Sequence, residues 1–241
     1  MRKWTLIIAL FPYLLVAQTT EEKDTIVQSQ TYSFNPQQLI VPGALVALGM
    51  YGSVYWDKNI QKQATKWNGS TSIDDVSIFL PGASAYLLDW CGVPSKHKFT
   101  DKTVITATTA IITLGTTFFL KEATNVIRPD GSNNKSFPSM HTAIAFAGAE
   151  LLRQEYKDQS VWYGIAGYGV AAGSGFLRIY NNKHWSSDVL VGAGVGILST
   201  YTAYWMFPSL KKLYSADGQK EISVLPFVSG NGIGLGFSAS F

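Results

Sequence analysis

Three clusters along this 241-residue chain carry side chains that can hold or attack an oxyanion. Lys121 and Arg128 stand seven positions apart, so on a helix they fall within ~20° of one another and can both face one anion. Lys121 directly follows an uncharged apolar stretch; a cation at the end of such a stretch reaches a water-filled mouth, whereas one in lipid is costly. The second cluster is Pro138-Ser139-Met140-His141, read as the start of a helix, where free N–H groups and the positive dipole end favour an anion. In the third, Arg178 precedes His184 and Asp188. The last two are four apart, so on one helical turn the carboxylate accepts from a ring N–H and fixes the tautomer. Such a histidine presents its other nitrogen as a nucleophile.

Each cluster alone has a plainer reading. A Lys and an Arg beside an apolar helix are usually interfacial anchors, a serine before a helix is usually an N-cap, and a His-Asp pair is usually structural. The ordered combination is harder to reach by chance, and two of the chain's three histidines fall inside it. The glycine-rich stretches lack the following Lys-Ser/Thr of a phosphate loop and read as helix packing. The single cysteine, Cys91, permits no intrachain disulfide, and neither a metal cluster nor a cofactor site is expected.

The elements that must position these residues are apolar. Hydrophobic residues make up 46% of the chain and charged ones 15%, gathered into long uncharged blocks that point to lipid. A net charge of +3 without a continuous basic stripe excludes nucleic acid as a partner. Arg2 and Lys3 before the run from Trp4 to Val16 read as a secretory signal over residues 1–18, followed by a polar lead-in over 19–38. Residues 39–212 are expected to form an all-α helical bundle, with a tail over 213–241 whose Ser229-Gly230-Asn231-Gly232 marks a possible strand pair. About five spans are expected: Leu39–Trp56, Thr103–Leu120, a buried central helix at Met140–Leu152, Val161–Leu177 and Val189–Phe207. Asp74–Trp90, broken by Pro81-Gly82, is read as interfacial or re-entrant, which puts Lys58, Lys62 and Lys66 on the same side as Lys96, Lys98 and Lys102.

With those motifs in hand the chain resembles the type 2 phosphatidic acid phosphatases, relatives of bacterial class A acid phosphatases and vanadium haloperoxidases. Their pattern runs Lys-six-Arg-Pro, Pro-Ser-Gly-His, then Ser-Arg-five-His-three-Asp. Here it reads Lys121 to Arg128-Pro129, Pro138-Ser139-Met140-His141, and Leu177-Arg178 to His184 and Asp188. Met140 stands where the family has glycine and Leu177 where it has serine, so the pocket is more crowded and one hydroxyl is lost.

The resemblance implies a phosphatase acting on a phosphate monoester or diphosphate, on a lipid, through a phosphohistidine and without metal. Lys121, Arg128, Ser139, the Met140 N–H and Arg178 would bind phosphate; His184 would attack, oriented by Asp188, and His141 would serve as acid and then base. The substrate would be a lipid phosphate; with the signal removed, five crossings put the basic loops inside and the motifs on the periplasmic face of the inner membrane. Alternatives are a secreted soluble acid phosphatase, a vanadium haloperoxidase and a non-catalytic lipid-binding membrane protein.

Overall fold

The computed structural model describes residues 35–67, 70–214, 222–229 and 232–239. The expected signal over residues 1–18 lies outside them, as does the lead-in up to residue 34. A 3-10 turn at Pro36–Leu39 leads into α1 (Ile40–Tyr55) and α2 (Asp57–Ala64). There follow α3 (Ile73–Ser77), α4 (Leu80–Trp90), α5 (Phe99–Thr124), α6 (Met140–Tyr156), α7 (Val161–Tyr180) and α8 (Ser186–Tyr214). The fold is an all-α bundle. In the tail, β1 (Ile222–Ser229) pairs antiparallel with β2 (Gly232–Ala239), Ile222 opposite Ala239 and Ser229 opposite Gly232.

Helix α5 shows how such a sequence becomes a long helix. Threonine is a mediocre helix former, yet the hydroxyls of Thr103, Thr106, Thr108, Thr117 and Thr124 each bond the carbonyl four residues back, at 2.7–2.8 Å. These five hydroxyls are thus satisfied within the helix, as an apolar surrounding demands. Lys102, Ile105, Thr109, Thr113, Thr117 and Lys121 recur every three or four residues as its buried stripe. The opposite face is bare, with Ile111 72% and Phe119 68% exposed. Exposed apolar faces of this extent belong against lipid. Pro36–Tyr55, Phe99–Thr124 and Ser186–Tyr214 are long and apolar enough to cross a membrane.

Helix α6 lies at the centre, with eleven of its residues buried, as expected for the short span at Met140–Leu152. Its partner α8 approaches through glycine: a Cβ on Gly192 would sit 2.5 Å from the Ser139 carbonyl oxygen, and one on Gly196 would sit 2.2 Å from that of Ala143. No larger residue permits this approach, which sets the start of α6 beside the start of α8. On the far side of α6, Gly148 faces Gly82 of α4, where an added Cβ would meet the Gly82 nitrogen at 2.7 Å.

Two sequence expectations are corrected by the run of the chain. Residues 74–90 are not confined to one end of the bundle. Asp75 contacts His141 at the start of α6, and Asp89 accepts from the Tyr156 hydroxyl at its end, 2.7 Å away. The described chain therefore passes along the bundle six times, in α1, α3 with α4, α5, α6, α7 and α8. Pro81, at the first turn of α4, divides this passage into two short helices, and each uncharged run falls below spanning length. Lys58, Lys62 and Lys66 also change ends. Lys58 and Lys62 sit on α2 and Lys66 on the 3-10 turn Thr65–Trp67 that follows it; Asp57 of α2 bonds Ser186 and Ser187 at the start of α8, far from Lys96 and Lys102.

Candidate active site

The start of α8 is fixed by two carboxylates. Asp57 accepts from the Ser186 hydroxyl at 2.6 Å, the Ser187 N–H at 2.9 Å and the Ser187 hydroxyl, placing negative charge at the positive end of the helix. Asp188, in the first turn, accepts at Oδ2 from the Trp185 N–H at 2.9 Å and from the Ser136 hydroxyl. The same oxygen lies 3.4 Å from His184 Nδ1. His184 thus pairs with Asp188, but from the loop before the helix rather than across a helical turn, because α8 begins only at Ser186.

His184 is 1% exposed. Burial holds its imidazole down at about 4; Lys121 and Arg178 push the same way and Asp188 opposes them. The ring is therefore neutral at neutral pH, the form in which a nitrogen lone pair is available. Asp188 Oδ1 is buried without a hydrogen-bond partner.

Helix α6 begins at the same place, since the Ser139 N–H donates to the Asp188 carbonyl at 3.0 Å. Ser139 is fully buried, and its hydroxyl caps the helix, accepting from the Thr142 N–H at 3.4 Å and the Thr142 hydroxyl at 2.9 Å. Met140 heads the first turn, whose N–H groups have no intrahelical acceptor. One residue on, His141 Nε2 lies 3.1 Å from Asp75 Oδ1.

Lys121 closes the buried stripe of α5, and its ammonium donates to the carbonyls of Lys135 at 2.8 Å and Ser136 at 3.2 Å. Arg128 does not share its helix. Asn125 takes a left-handed conformation with φ 49° and ends α5, so the seven-residue helical spacing expected for this pair is not realised. The loop folds back instead. The Ser136 N–H donates to Val126, the Arg128 N–H to Asn133, and the Trp185 indole to Ile127 at 2.8 Å. Arg128 is half-buried, its Nε has no partner, and burial with the nearby Arg178 charge lowers its pKa. Lys183 and Asp130 bridge the same loop to the His184 loop at 2.8 Å.

From α7, Arg178 pairs with the buried carboxylate of Asp74 and lies 3.7 Å from Asp75, while its Nε has no partner. Asn181 reinforces this, donating to Asp74 at 3.0 Å and to the Thr71 carbonyl at 2.8 Å. Lys121, Arg128, Arg178, Ser139, Met140, His141, His184 and Asp188 thus come together at one end of the bundle. Among the described residues, neither Lys121 nor Arg128 has a carboxylate partner.

The arrangement falls within a known family. The family model described as PAP2 superfamily matches residues 60–212, which include every one of these side chains. The chain belongs to the PAP2 superfamily. Among curated proteins it is 39% identical over 153 residues to a Lipid A 1-phosphatase of Porphyromonas gingivalis, covering 62% of this chain and 34% of that one. It is 30% identical over 81 residues to the Bacitracin transport permease protein BcrC of Bacillus licheniformis, covering 34% and 38%. The chain thus spans about a third of the length of these relatives. Aquifex aeolicus LpxE is similar in structure, with 22% identity, a TM-score of 0.43, and coverage of 57% of this chain and 88% of that one. A PAP2 type phosphatidylglycerolphosphate phosphatase from Bacillus subtilis gives 20% identity and a TM-score of 0.44 over 71% and 98%.

Within this PAP2 chain the sequence motifs left out four contributors. Asp74 and Asp75 stand 104 and 66 positions from the partners they meet, so no local spacing could reveal them. Ser136 and the Trp185 N–H, which share Asp188 with His184, carry no signal beyond lying beside the motifs. Leu177, in place of the family's serine, is half-buried and offers no hydroxyl.

Proposed function

We propose that this chain is a phosphatase that removes phosphate from a membrane lipid through a phosphohistidine on His184. The observation that carries the reading is a buried, neutral histidine with a carboxylate at Nδ1, set among cations of which two lack a carboxylate of their own. Lys121, Arg128 and Arg178 receive the phosphate oxygens, with the first-turn N–H groups of α6 at Met140; Ser139 contributes by holding that turn in place. Fixed donors of this kind stabilise charge as it develops in the transition state.

His184 Nε2 attacks phosphorus, and the leaving oxygen takes a proton from His141 as its bond to phosphorus breaks. Water then attacks the phosphohistidine, giving a proton back to His141, and inorganic phosphate departs from His184. The 39% identity to a Lipid A 1-phosphatase makes a lipid A phosphate the first substrate to try; phosphatidic acid and isoprenoid diphosphates share the same chemistry.

We place the site end on the outer face of the inner membrane. Lys96, Lys98, Arg153, Lys157, Lys211 and Lys212 gather towards the other end and support this orientation, whereas Lys58, Lys62 and Lys66 no longer do. With Cys91→Ser as background, a cysteine at Asn133 should react with an impermeant reagent from outside and one at Lys157 should not.

The function is tested by phosphate release from purified protein over lipid A, phosphatidic acid, an isoprenoid diphosphate and a soluble ester. Lipid turnover should survive EDTA, be inhibited by vanadate and vanish in His184→Ala. Release from none of these esters, or label trapped on the protein after His184→Ala, would sink the reading.

A further inference from the structure

Helix α3 places two consecutive carboxylates against two different site residues: Asp74 pairs with Arg178, and Asp75 lies between Arg178 and His141. Asp74 is 1% exposed and is held on both sides, by the Arg178 guanidinium and by the Asn181 amide. Asp75 comes next on the helix, about 100° further round. Its Oδ1 lies 3.1 Å from His141 Nε2, nearer than the 3.7 Å to Arg178 Nη1. Arg178 is already neutralised by Asp74, so Asp75 is left to the histidine. The charged groups facing His141 from neighbouring elements are these three: Asp74 and Asp75 of α3 and Arg178 of α7.

We propose that Asp75 is the positioning residue of His141, making it the second His-Asp pair of the site. This rests on the phosphatase reading above. A carboxylate accepting from Nε2–H fixes the ring and its tautomer, turns Nδ1 to the leaving oxygen, and compensates the imidazolium that must exist before the proton is given and after water's proton is taken. Asp74 makes this precise in space, because its buried ion pair anchors a helix only five residues long. The two pairs differ in setting. Asp188 is buried with His184, whereas the Asp75 side chain is 61% exposed.

The test compares Asp75→Asn, Asp75→Glu, His141→Ala and the double variant Asp75→Asn/His141→Ala on an alkyl lipid phosphate and on p-nitrophenyl phosphate, whose leaving group needs no proton. Because the water step needs His141 whichever ester is used, the readout is the pre-steady-state rate of phosphoenzyme formation: Asp75→Asn should lower it ~10-fold on the alkyl substrate, a share of the ~10²–10⁴ that general acid-base catalysis supplies, and change it by less than ~3-fold on p-nitrophenyl phosphate. Asp75→Glu should recover part of the loss, and the double variant should match His141→Ala alone. Equal losses on both substrates, additive losses in the double variant, or a gain in kcat/KM from removing a repelling charge would each overturn the assignment. If His141→Ala discriminates between the substrates and Asp75→Asn does not, the inference fails while the phosphatase reading stands. If wild type turns over both and His141→Ala does not discriminate, the acid role of His141 fails, and the inference with it.

Discussion

Lys102 and Lys121 stand on the same buried stripe of α5, nineteen residues or ~28 Å apart, close to the thickness of a bilayer core. Lys102, fully buried, donates to the Asp89 carboxylate and to the Ala85 carbonyl at 2.7 Å, and Tyr156 completes that carboxylate's shell. Its neighbours are treated alike. Arg153 binds both oxygens of Glu150, and Glu155 accepts from Tyr204 and from His97. Lys121, among the described residues, meets only main-chain carbonyls. Among the described residues, the buried polar side-chain atoms without partners include Gln61 Oε1, Arg128 Nε, Arg178 Nε and Asp188 Oδ1 at its end, with the Thr109 and Thr113 hydroxyls between the two lysines and no charged group of the Lys102 end among them. A network that serves stability satisfies its charges internally, whereas one that serves an anionic ligand keeps donors in reserve.

The comparison is sharpened most by replacing each lysine with methionine. Lys121→Met should lower kcat/KM ~10²–10³-fold, the usual loss for one preorganised donor. Its melting temperature should move less than that of Lys102→Met, since no carboxylate is left without its cation and only the Lys135 and Ser136 carbonyls lose a donor. A destabilised but active Lys121→Met protein would mean that the reserve of donors is not the site.

Lys102→Met should do the reverse. Asp89 loses its ion pair, and because that side chain is 28% exposed and can recruit water, the expected loss is about 2 kcal/mol rather than the ~3–5 of a fully enclosed pair. Per folded molecule, kcat should stay within ~3-fold of wild type. Chemical denaturation in detergent, monitored by tryptophan fluorescence, gives the first quantity and phosphate release gives the second. A loss of catalysis without a loss of stability would erase the distinction between the ends.

The sequence made the site legible where chemistry is local, and hid it where contacts are long-range. Lys121, Ser139-Met140-His141, Arg178 and His184 to Asp188 lie in short motifs whose spacing survives folding. The helical argument for Arg128 failed on one residue, since Asn125 turns left-handed and the loop, rather than the helix, returns the arginine. Asp74 and Asp75 were invisible because their partners lie on α6 and α7. The same pair, with Asp89 and Pro81-Gly82, interrupts the apolar run of residues 74–90 and so concealed a passage through the bundle. That hidden passage in turn misplaced Lys58, Lys62 and Lys66, because a sidedness argument inherits any error in the number of crossings.

The smallest effect expected at the site end is a proton that fails to bind. An unperturbed histidine, with a pKa near ~6.5, is about 90% protonated at pH 5.5. His184, held down to about 4 by burial and the nearby cations against the pull of Asp188, should remain almost wholly neutral there. The folded state therefore binds fewer protons than the unfolded chain between pH 6.5 and 4. By linkage the contribution of this group to stability is fully present above that window and is lost as pH falls through it. The direct measurement is a nitrogen-15 spectrum of histidine-labelled protein in micelles, titrated from pH 8 to 5. The chain has three histidines, and His184→Ala assigns the relevant pair of ring signals. Those signals should keep the shifts of one bare and one protonated nitrogen at pH 5.5, with Nδ1 the protonated one, since it faces Asp188 Oδ2 at 3.4 Å. In Asp188→Asn the ring should resist protonation further, because the one charge favouring imidazolium is gone. A ring that titrates near 6.5 in the folded protein would show that the Asp188 end admits water as freely as an ordinary surface, and the neutral-nucleophile argument would fall with it.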